Sequence, residues 1–294
     1  MESVLLTKHP ELPLVQEVRA LEALCRAHDH LEGSLFLNPS LNVSEDMPCL
    51  LTIKQGNVLI GAMTFFAPTL EEAELVGLTH PDHRRKGVFR TLVSEAARQA
   101  KQFGTPSLLF ICEPQSADGV AAIAALGAKP AHVEYSLSYD HASAHSPLAV
   151  PEGLALSRAS EEDLDAMAQI SALSFEEPEE QARNFMIKAM SSDHRTQYIA
   201  RLNGLPVGIG CIGYEDGEAT IYGLGVLPNM QGRGIGRGII SLMLDILRAN
   251  NTERILIEVD NSNANALHLY LSCGFVQESV YTYYRAPVKR FLSQ

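Results

Sequence analysis

The sequence lacks tryptophan, and only 6% of its 294 residues are aromatic. It has little cysteine: the five residues are scattered, and no two stand in a Cys-x-x-Cys pair. The ten histidines form no metal-ligand spacing either. A disulfide framework and a structural zinc site are therefore not expected, and the cysteines suit a reducing compartment. We predict that the protein carries no metal.

Positive charge is also scarce: the sequence has 23 basic and 35 acidic side chains, and its net charge is −12. This balance argues against nucleic acid or an anionic membrane as the main partner, and it leaves room for a cationic amine. No apolar run is long enough to cross a bilayer, and the first residues do not form a signal peptide. We therefore expect a cytoplasmic protein. Its 46% hydrophobic content is sufficient for a sizeable core.

The chain contains an internal repeat. When the sequence is shifted by 147 positions, several landmarks coincide without a gap: Gly61 with Gly208, Pro81 with Pro228, Gly87 with Gly234, Arg90 with Arg237, and Gly127 with Gly274. The apolar positions between these landmarks coincide as well. We predict two copies of one domain, residues 1–140 and 153–294, joined by a polar linker at 141–152.

Each copy mixes strand and helix patterns, which indicates an α/β (α+β) domain with a mixed β-sheet flanked by helices. Helices are predicted at Leu12–His30 and Glu179–Met190. Asn203-Gly204 separates two apolar runs and predicts a tight hairpin. A single strand is predicted at Glu74–Thr79, and a long helix within Met230–Asn250.

One glycine-rich stretch, Tyr222–Gly238, combines the end of an apolar run, a proline and four alternating glycines before a helical pattern. The first turn of a helix has N–H groups without partners, and glycines let an anion approach them. The spacing is not that of a dinucleotide fingerprint, and Gly-Lys-Ser/Thr, which a P-loop requires, is absent. We interpret the stretch as a phosphate-binding loop, although a flexible turn before an ordinary helix would give a similar pattern.

Two motifs in the second copy resemble those of the GCN5-related N-acetyltransferases (GNAT family). The loop reads Gln231-x-x-Gly234-x-Gly236. A Glu-bearing strand is followed by Asn263-x-x-Ala266 and by Leu-Tyr-x-x-x-Gly-Phe, which ends at Phe275. The resemblance implies two tandem GNAT-like domains and a sheet that splays where acyl-CoA enters. It also implies that acetyl-CoA is bound by Leu224, Gly225, Val226, Gln231, Gly232, Arg233, Gly234, Ile235, Gly236, Arg237, Asn263 and Ala266.

Transfer of an acyl group to an amine requires a neutral amine, a donor for the thioester oxygen and a proton for the departing thiolate. Tyr270 is the candidate acid, although it could also be an ordinary core tyrosine. Glu258 is the candidate base, because a lone carboxylate in an apolar strand run should be desolvated. A solvent-facing glutamate fits that position equally well. By resemblance, the oxyanion donors are backbone N–H groups near Gly225 and Val226.

The first copy has lost this chemistry. At the equivalent positions Phe89 replaces Gly236, Ile123 replaces Tyr270 and Ile111 replaces Glu258. Arg84 and Ser116 replace the motif residues Gln231 and Asn263. Glu113 could substitute for the missing carboxylate, but the missing tyrosine remains. We expect a structural domain or a wall of the substrate site, with residual CoA binding left open.

The sequence therefore predicts an N-acyltransferase that moves an acetyl group from acetyl-CoA to a primary amine of a small molecule or peptide, with its active site in the second copy. A non-catalytic CoA-binding or regulatory module is the alternative from another class. A mycothiol synthase-like acetyltransferase, which shares the tandem layout, is a narrower alternative. A homodimer is compatible with the sequence. Three residues on the last predicted strand fall where family members often line the acceptor pocket, although ordinary packing fits equally well: Tyr281, Tyr283 and Tyr284.

Overall fold

The computed structural model describes residues 3–141, 148–215 and 217–292. The chain forms two compact units. Unit 1 contains the residues up to Glu134 and those from Ser279 onward, and unit 2 is Tyr135–Glu278. The boundaries of these units differ from those of the predicted domains, 1–140 and 153–294. Two strands, Lys129–Tyr139 and Phe275–Pro287, each contribute residues to both units. Residues 142–147 of the predicted linker lie outside the described residues.

The helices and strands follow the predicted mixed pattern. In chain order they are β1 (Leu5–Thr7), α1 (Leu12–Asp29), β2 (Leu50–Gln55), β3 (Val58–Thr64), β4 (Glu72–Leu75), β5 (Gly77–Thr79), α2 (Val88–Phe103), β6 (Ser107–Cys112), α3 (Ala117–Ala125), β7 (Lys129–Tyr139), β8 (Leu154–Arg158), α4 (Leu164–Phe175), α5 (Glu179–Met190), β9 (Arg195–Leu202), β10 (Leu205–Glu215), β11 (Glu218–Val226), α6 (Ile235–Ala249), β12 (Ile255–Asp260), α7 (Ala264–Ser272) and β13 (Phe275–Pro287).

Unit 1 contains a four-stranded sheet, ordered β1-β2-β3-β5, and a second group ordered β4-β6-β13. The prediction of one strand at Glu74–Thr79 was wrong, because the chain changes partner at Val76. Residues before Val76 pair in parallel with β6, and residues after it pair antiparallel with β3. The break is held by Thr64, whose N–H donates to the Val76 carbonyl at 2.9 Å and whose Oγ1 accepts from the Val76 N–H at 3.2 Å.

Unit 2 has its strands in the order β7-β12-β11-β10-β9-β8. The pairs from β8 to β11 are antiparallel, whereas β11 and β12 are parallel. The predicted hairpin joins β9 and β10, with Asn203 at φ +50° and Gly204 at φ +85°. These two positive angles are typical of the turn that Asn-Gly favours.

Helix α6 covers one face of the unit 2 sheet because its apolar residues recur at helical spacing. Ile239, Ile240, Met243, Leu244 and Leu247 are all buried in one cluster with the strands. This helix lies within the predicted range Met230–Asn250 and begins at Ile235, since the backbone from Gly232 to Gly234 contains two positive φ angles that no right-handed helix tolerates.

The sequence repeat is confirmed by the structure. Helices α2 and α6 begin 147 residues apart, and α3 and α7 do so as well with equal lengths. The copies differ at α5, since the corresponding residues 32–43 contain only a short 3-10 turn. Among the described residues, no helix is both long and apolar enough to cross a membrane.

Candidate active site

The parallel strands β11 and β12 separate after a short contact. Only Ala219–Ile221 pair with Ile255–Ile257, although both strands continue for several residues. On its other edge β11 stays paired with β10, where the register shifts between Tyr222 and Gly225. Gly223, at φ +56°, supplies the extra residue of this bulge. Backbone groups after Ile221 therefore have no strand partner on the β12 side in the described structure.

The glycine loop lies directly after the splayed strand. A 3-10 turn at Pro228–Met230 leads to Gln231, whose side-chain amide donates to the Val226 carbonyl at 3.1 Å. Gly232 and Gly234 have φ angles of +73° and +77°, so both positions favour glycine. Ile235, which is buried, then anchors the first turn of α6 in the core.

This first turn has the features of an anion site. The first backbone bond within the helix is donated by Gly238 to Gly234 at 2.9 Å, so the N–H groups of residues 235–237 have no partner four residues back. A Cβ at Gly232 would meet nothing within 4 Å. A Cβ at Gly236 would lie 3.1 Å from the Leu269 side chain in α7, so a larger residue there would crowd α7.

The two arginines of the loop differ in their surroundings. Arg233 is exposed. Arg237 is also exposed, but it donates to the hydroxyl of Ser272 at 3.0 Å and is thereby directed toward the end of α7. Its charge also offsets part of the desolvation that raises the pKa of Cys273. Arg233 is therefore the more available of the two for an anionic ligand.

Asn263 and Ala266 form the start of α7. The Asn263 Oδ1 accepts from the Ala266 N–H at 3.0 Å, so this side chain caps the helix. The cap uses the amide oxygen, and the NH₂ group of the exposed side chain can still donate to a ligand. Ala266 is half-buried against the core cluster.

Tyr270 projects from α7 into the core of unit 2. It is only 6% exposed and packs against Phe275, with ring centroids 6.4 Å apart. Desolvation, with a smaller contribution from Cys273, raises the pKa of its phenol to about 12. The hydroxyl is therefore a stable hydrogen-bond donor at neutral pH, although it is a weaker acid than a free phenol of pKa about 10.

Glu258 lies on the opposite face of β12. Ile257 and Val259 are buried in the cluster that contains Tyr270, and the alternation of the strand turns Glu258 away from them. The side chain is exposed. The expected desolvation of this carboxylate was therefore wrong: the apolar run forms one face of the strand, whereas Glu258 belongs to the other.

One contact at this site had no sequence signal. A Cβ at Gly225 would lie 3.0 Å from the Cβ and Oγ of Ser174, so the end of α4 lies tightly over β11. The Ser174 hydroxyl is buried without a hydrogen-bond partner. In the sheet itself, the Arg195 guanidinium of β9 stacks over the Tyr222 ring of β11, 4.4 Å from its centroid. The packing of α4 on the sheet brings Ser174 beside the bulge.

The corresponding loop of the first copy has a similar backbone but different contacts. Gly87, at φ +88°, again precedes its helix. Arg84, however, forms a two-point ion pair with Asp29 and a further contact with Asp118. Ile123 is buried where the second copy has Tyr270. Across the described parts of both copies, no group of three His, Cys, Asp or Glu residues has the arrangement of a metal site.

Comparison with known proteins supports one family. The model of the acetyltransferase (GNAT) family matches residues 15–127 and again 164–275. The mycothiol acetyltransferase of Clavibacter michiganensis subsp. michiganensis is 29% identical over 256 residues, which cover 82% of this chain and 81% of that protein. Two solved structures share the fold over almost the whole chain. They are a GCN5-related N-acetyltransferase from Sphaerobacter thermophilus (TM-score 0.75, 15% identity, covering 97% of this chain and 96% of that one) and a tandem GNAT protein from the clavulanic acid biosynthesis pathway (TM-score 0.71, 17% identity, 98% and 99%). The chain therefore belongs to the GNAT acetyltransferase family, and it carries the domain of that family twice.

Proposed function

We propose that unit 2 transfers an acetyl group from acetyl-CoA to a primary amine. The observation that carries this proposal is the position of the glycine loop directly after a strand that has separated from its neighbour. The separation leaves unpaired backbone at the strand edge, and the loop adds unpartnered N–H groups at the start of α6. A thin chain with an anionic end is complementary to this combination.

The residues of the loop would hold the pyrophosphate. The N–H groups of Ile235, Gly236 and Arg237 would donate to its oxygens, and Arg233 would add charge. The pantetheine arm would follow the free edge of Leu224–Val226, with the Asn263 amide as a further donor. The unpaired edge beside Gly225 would donate to the thioester oxygen, which gains negative charge during the reaction.

The acceptor must lose a proton before it attacks, since an alkylamine with a pKa of about 10 is almost wholly charged at pH 7. Glu258 would attract the ammonium group and pass its proton to solvent, a role that suits an exposed carboxylate better than that of a buried base. Attack of the amine nitrogen on the thioester carbon forms the amide bond and breaks the carbon–sulfur bond. The products are an N-acetylated amine and CoA.

Tyr270 would stabilise the departing sulfur. Because the pKa of its phenol is raised to about 12, complete transfer of its proton to a free thiolate would be unfavourable, since thiols have a pKa of about 8.5. We therefore assign it a hydrogen bond that strengthens as charge develops on the sulfur. Acid–base assistance contributes about 10²–10⁴ in rate, whereas correct positioning contributes about 7–11 kcal/mol, so positioning dominates.

The relatives favour one acceptor as a second candidate. The mycothiol acetyltransferase of Clavibacter resembles this chain over most of both lengths, including both repeats. We include the acceptor of the mycothiol acetyltransferases among the amines to be tested.

The test is an incubation of the protein with acetyl-CoA and a panel of amines: an aminoglycoside, a polyamine, an amino acid, a peptide N-terminus and the mycothiol-type acceptor. Release of the CoA thiol is the readout, and mass spectrometry identifies the acetylated product. We expect product with one class of acceptor. Tight binding of CoA without turnover on any amine would support the regulatory module instead.

A further inference from the structure

Unit 1 contains a cavity of its own, with a volume of about 620 Å³. This volume lies within the range of small-molecule sites. Much of the wall is apolar and comes from β5, α2, β6 and α3, including Leu78, Phe89, Phe110 and Ile123. Phe89 narrows the cavity next to β5, since a Cβ at Gly77 would lie 2.7 Å from its ring.

Glu113 is a buried carboxylate in the wall of this cavity. Glu113 is 7% exposed. Its Oε1 accepts from the Gly33 N–H at 2.9 Å, and its Oε2 accepts from the Glu32 N–H at 3.0 Å and from the Gln115 amide at 2.8 Å. All three donors are neutral. They orient the carboxylate and partly stabilise its charge, but they bring no positive charge of their own.

The other carboxylates of the wall have cationic partners. Glu22 pairs with Arg19, Asp29 with Arg84, and Asp118 with Arg84 and Arg85. Within the described parts of the chain, Glu113 is the carboxylate of this wall that has no cation in contact. The cavity therefore offers a buried negative charge at one point of an apolar wall.

An aromatic ring lies at the same point. A Cβ built on Gly33 would lie 2.9 Å from both Cε1 and the hydroxyl of Tyr281, and 3.0 Å from the Glu113 Oε1. The glycine thus allows the ring and the carboxylate to approach each other closely. A carboxylate beside an aromatic ring is a favourable arrangement for an ammonium group.

We propose that unit 1 binds a hydrophobic primary amine in this cavity, with its ammonium group on Glu113 beside Tyr281 and its alkyl chain along Phe89 and Ile123. The site binds without reacting, because Ile123 stands where the second copy has a tyrosine hydroxyl. Arg84, at the first-copy position of Gln231, is engaged by Asp29, which disfavours a phosphate ligand here. The proposal does not depend on the activity assigned to unit 2.

The test uses calorimetric titration of n-hexylamine, with 1-hexanol as a probe of equal length without charge. At pH 7 the amine is protonated, since its pKa is about 10. We expect the amine to bind at least about tenfold more tightly than the alcohol, which corresponds to about 1.4 kcal/mol. Glu113→Gln keeps one oxygen acceptor for the backbone and should remove this preference. Equal affinities of the two probes, or full amine affinity in Glu113→Gln, would overturn the proposal.

A second pair of variants covers the case in which Glu113→Gln fails to fold. Ala121 is exposed and lines the cavity, whereas Ala124 is exposed on the same helix and does not line it. Ala121→Trp should reduce hexylamine binding at least tenfold, and Ala124→Trp should not change it. Gly234→Asp, in the loop of unit 2, should leave hexylamine binding intact. Unaltered binding in Ala121→Trp, loss of binding in Gly234→Asp, or no binding in the wild type would each refute the site.

Discussion

Arg84 and Asp29 form a two-point ion pair, with Nη1–Oδ1 and Nη2–Oδ2 distances of 2.9 and 2.6 Å. The arginine occupies the loop position that Gln231 has in the second repeat. The side chain of Gln231 is instead hydrogen-bonded to the adjoining strand, since its amide donates to the Val226 carbonyl. The same loop is thus held internally by a charge pair in one copy and by a neutral hydrogen bond in the other.

The first prediction concerns the stability of this pair. The hydrogen bond from Arg84 lowers the pKa of Asp29 in the folded chain. The pair therefore stabilises the fold above the unfolded pKa of about 3.9, and its contribution is lost as the pH falls through the lower folded pKa. In urea unfolding, Asp29→Asn should lower the free energy of unfolding by about 1–2 kcal/mol at pH 7 and by progressively less below about pH 4.

Asp245→Asn is the control, because Asp245 forms an exposed ion pair with Arg248. It should change the free energy of unfolding by less than about 0.5 kcal/mol. An effect of Asp29→Asn that stayed constant from pH 7 to pH 3 would contradict the assignment.

The second prediction tests the glycine loop. Gly234→Asp introduces a carboxylate and a strained φ angle at the start of α6, so acetyl-CoA affinity should fall at least about tenfold, or 1.4 kcal/mol, in calorimetry. Gly87→Asp is the matched control, since Gly87 has the same position and a similar φ of +88° in the first copy. It imposes comparable strain and should leave the affinity unchanged. The reverse result would place CoA in the first copy.

The third prediction separates the two roles of Asn263. Asn263→Asp keeps an oxygen that can cap α7, so the melting temperature should hardly change. It removes the amide donor and adds a negative charge, so acetyl-CoA affinity should fall. Asn263→Ala should lower stability by about 1 kcal/mol as well. If Asn263→Asp bound acetyl-CoA like the wild type, the residue would be only a cap.

The fourth prediction concerns Tyr270. Tyr270→Phe should lower kcat by about 10²-fold or more with acetyl-CoA affinity nearly unchanged, since the hydroxyl acts only as charge develops on the sulfur. With the pKa of its phenol near 12, Tyr270 stays protonated and causes no loss of rate below about pH 11. Tyr139→Phe removes another phenol of unit 2, which accepts from Arg248, and should leave kcat intact. Full turnover of Tyr270→Phe would exclude this role.

The fifth prediction concerns Glu258. Glu258→Gln should lower kcat/KM at pH 7 and recover partly near pH 10, where about half of an alkylamine is already neutral. Glu253→Gln, which changes another exposed glutamate just before the same strand, should behave as the wild type at both values. An equal loss at pH 7 and pH 10 would show that Glu258 does not assist deprotonation.

Structural features that depend on short stretches of sequence were predicted correctly. The repeat, the hairpin at Asn203-Gly204 and the helix Glu179–Met190 were predicted with their bounds or nearly so, because turn residues and apolar periodicity act over a few positions. The glycine loop before α6 was predicted for the same reason, and the positive φ angles of Gly232 and Gly234 are ones that glycine adopts readily. The roles of Tyr270 and Glu258 stay predictions.

Other features depended on which strands meet. The break at Val76 arises because consecutive residues pair with different strands, which no local pattern specifies. Glu258 is exposed because the other face of β12 is the buried one. The apolar residues around Glu258 in the sequence did not indicate which face that would be. Likewise, Tyr281 lies beside Glu113 only because β13 pairs with β6 across more than 160 residues of sequence. The sequence by itself determined the two repeats, the glycine loop and its motifs, because these depend on short-range backbone preferences. Tertiary structure alone decided which side chains share a cavity and which are exposed, because burial is set by contacts between distant segments.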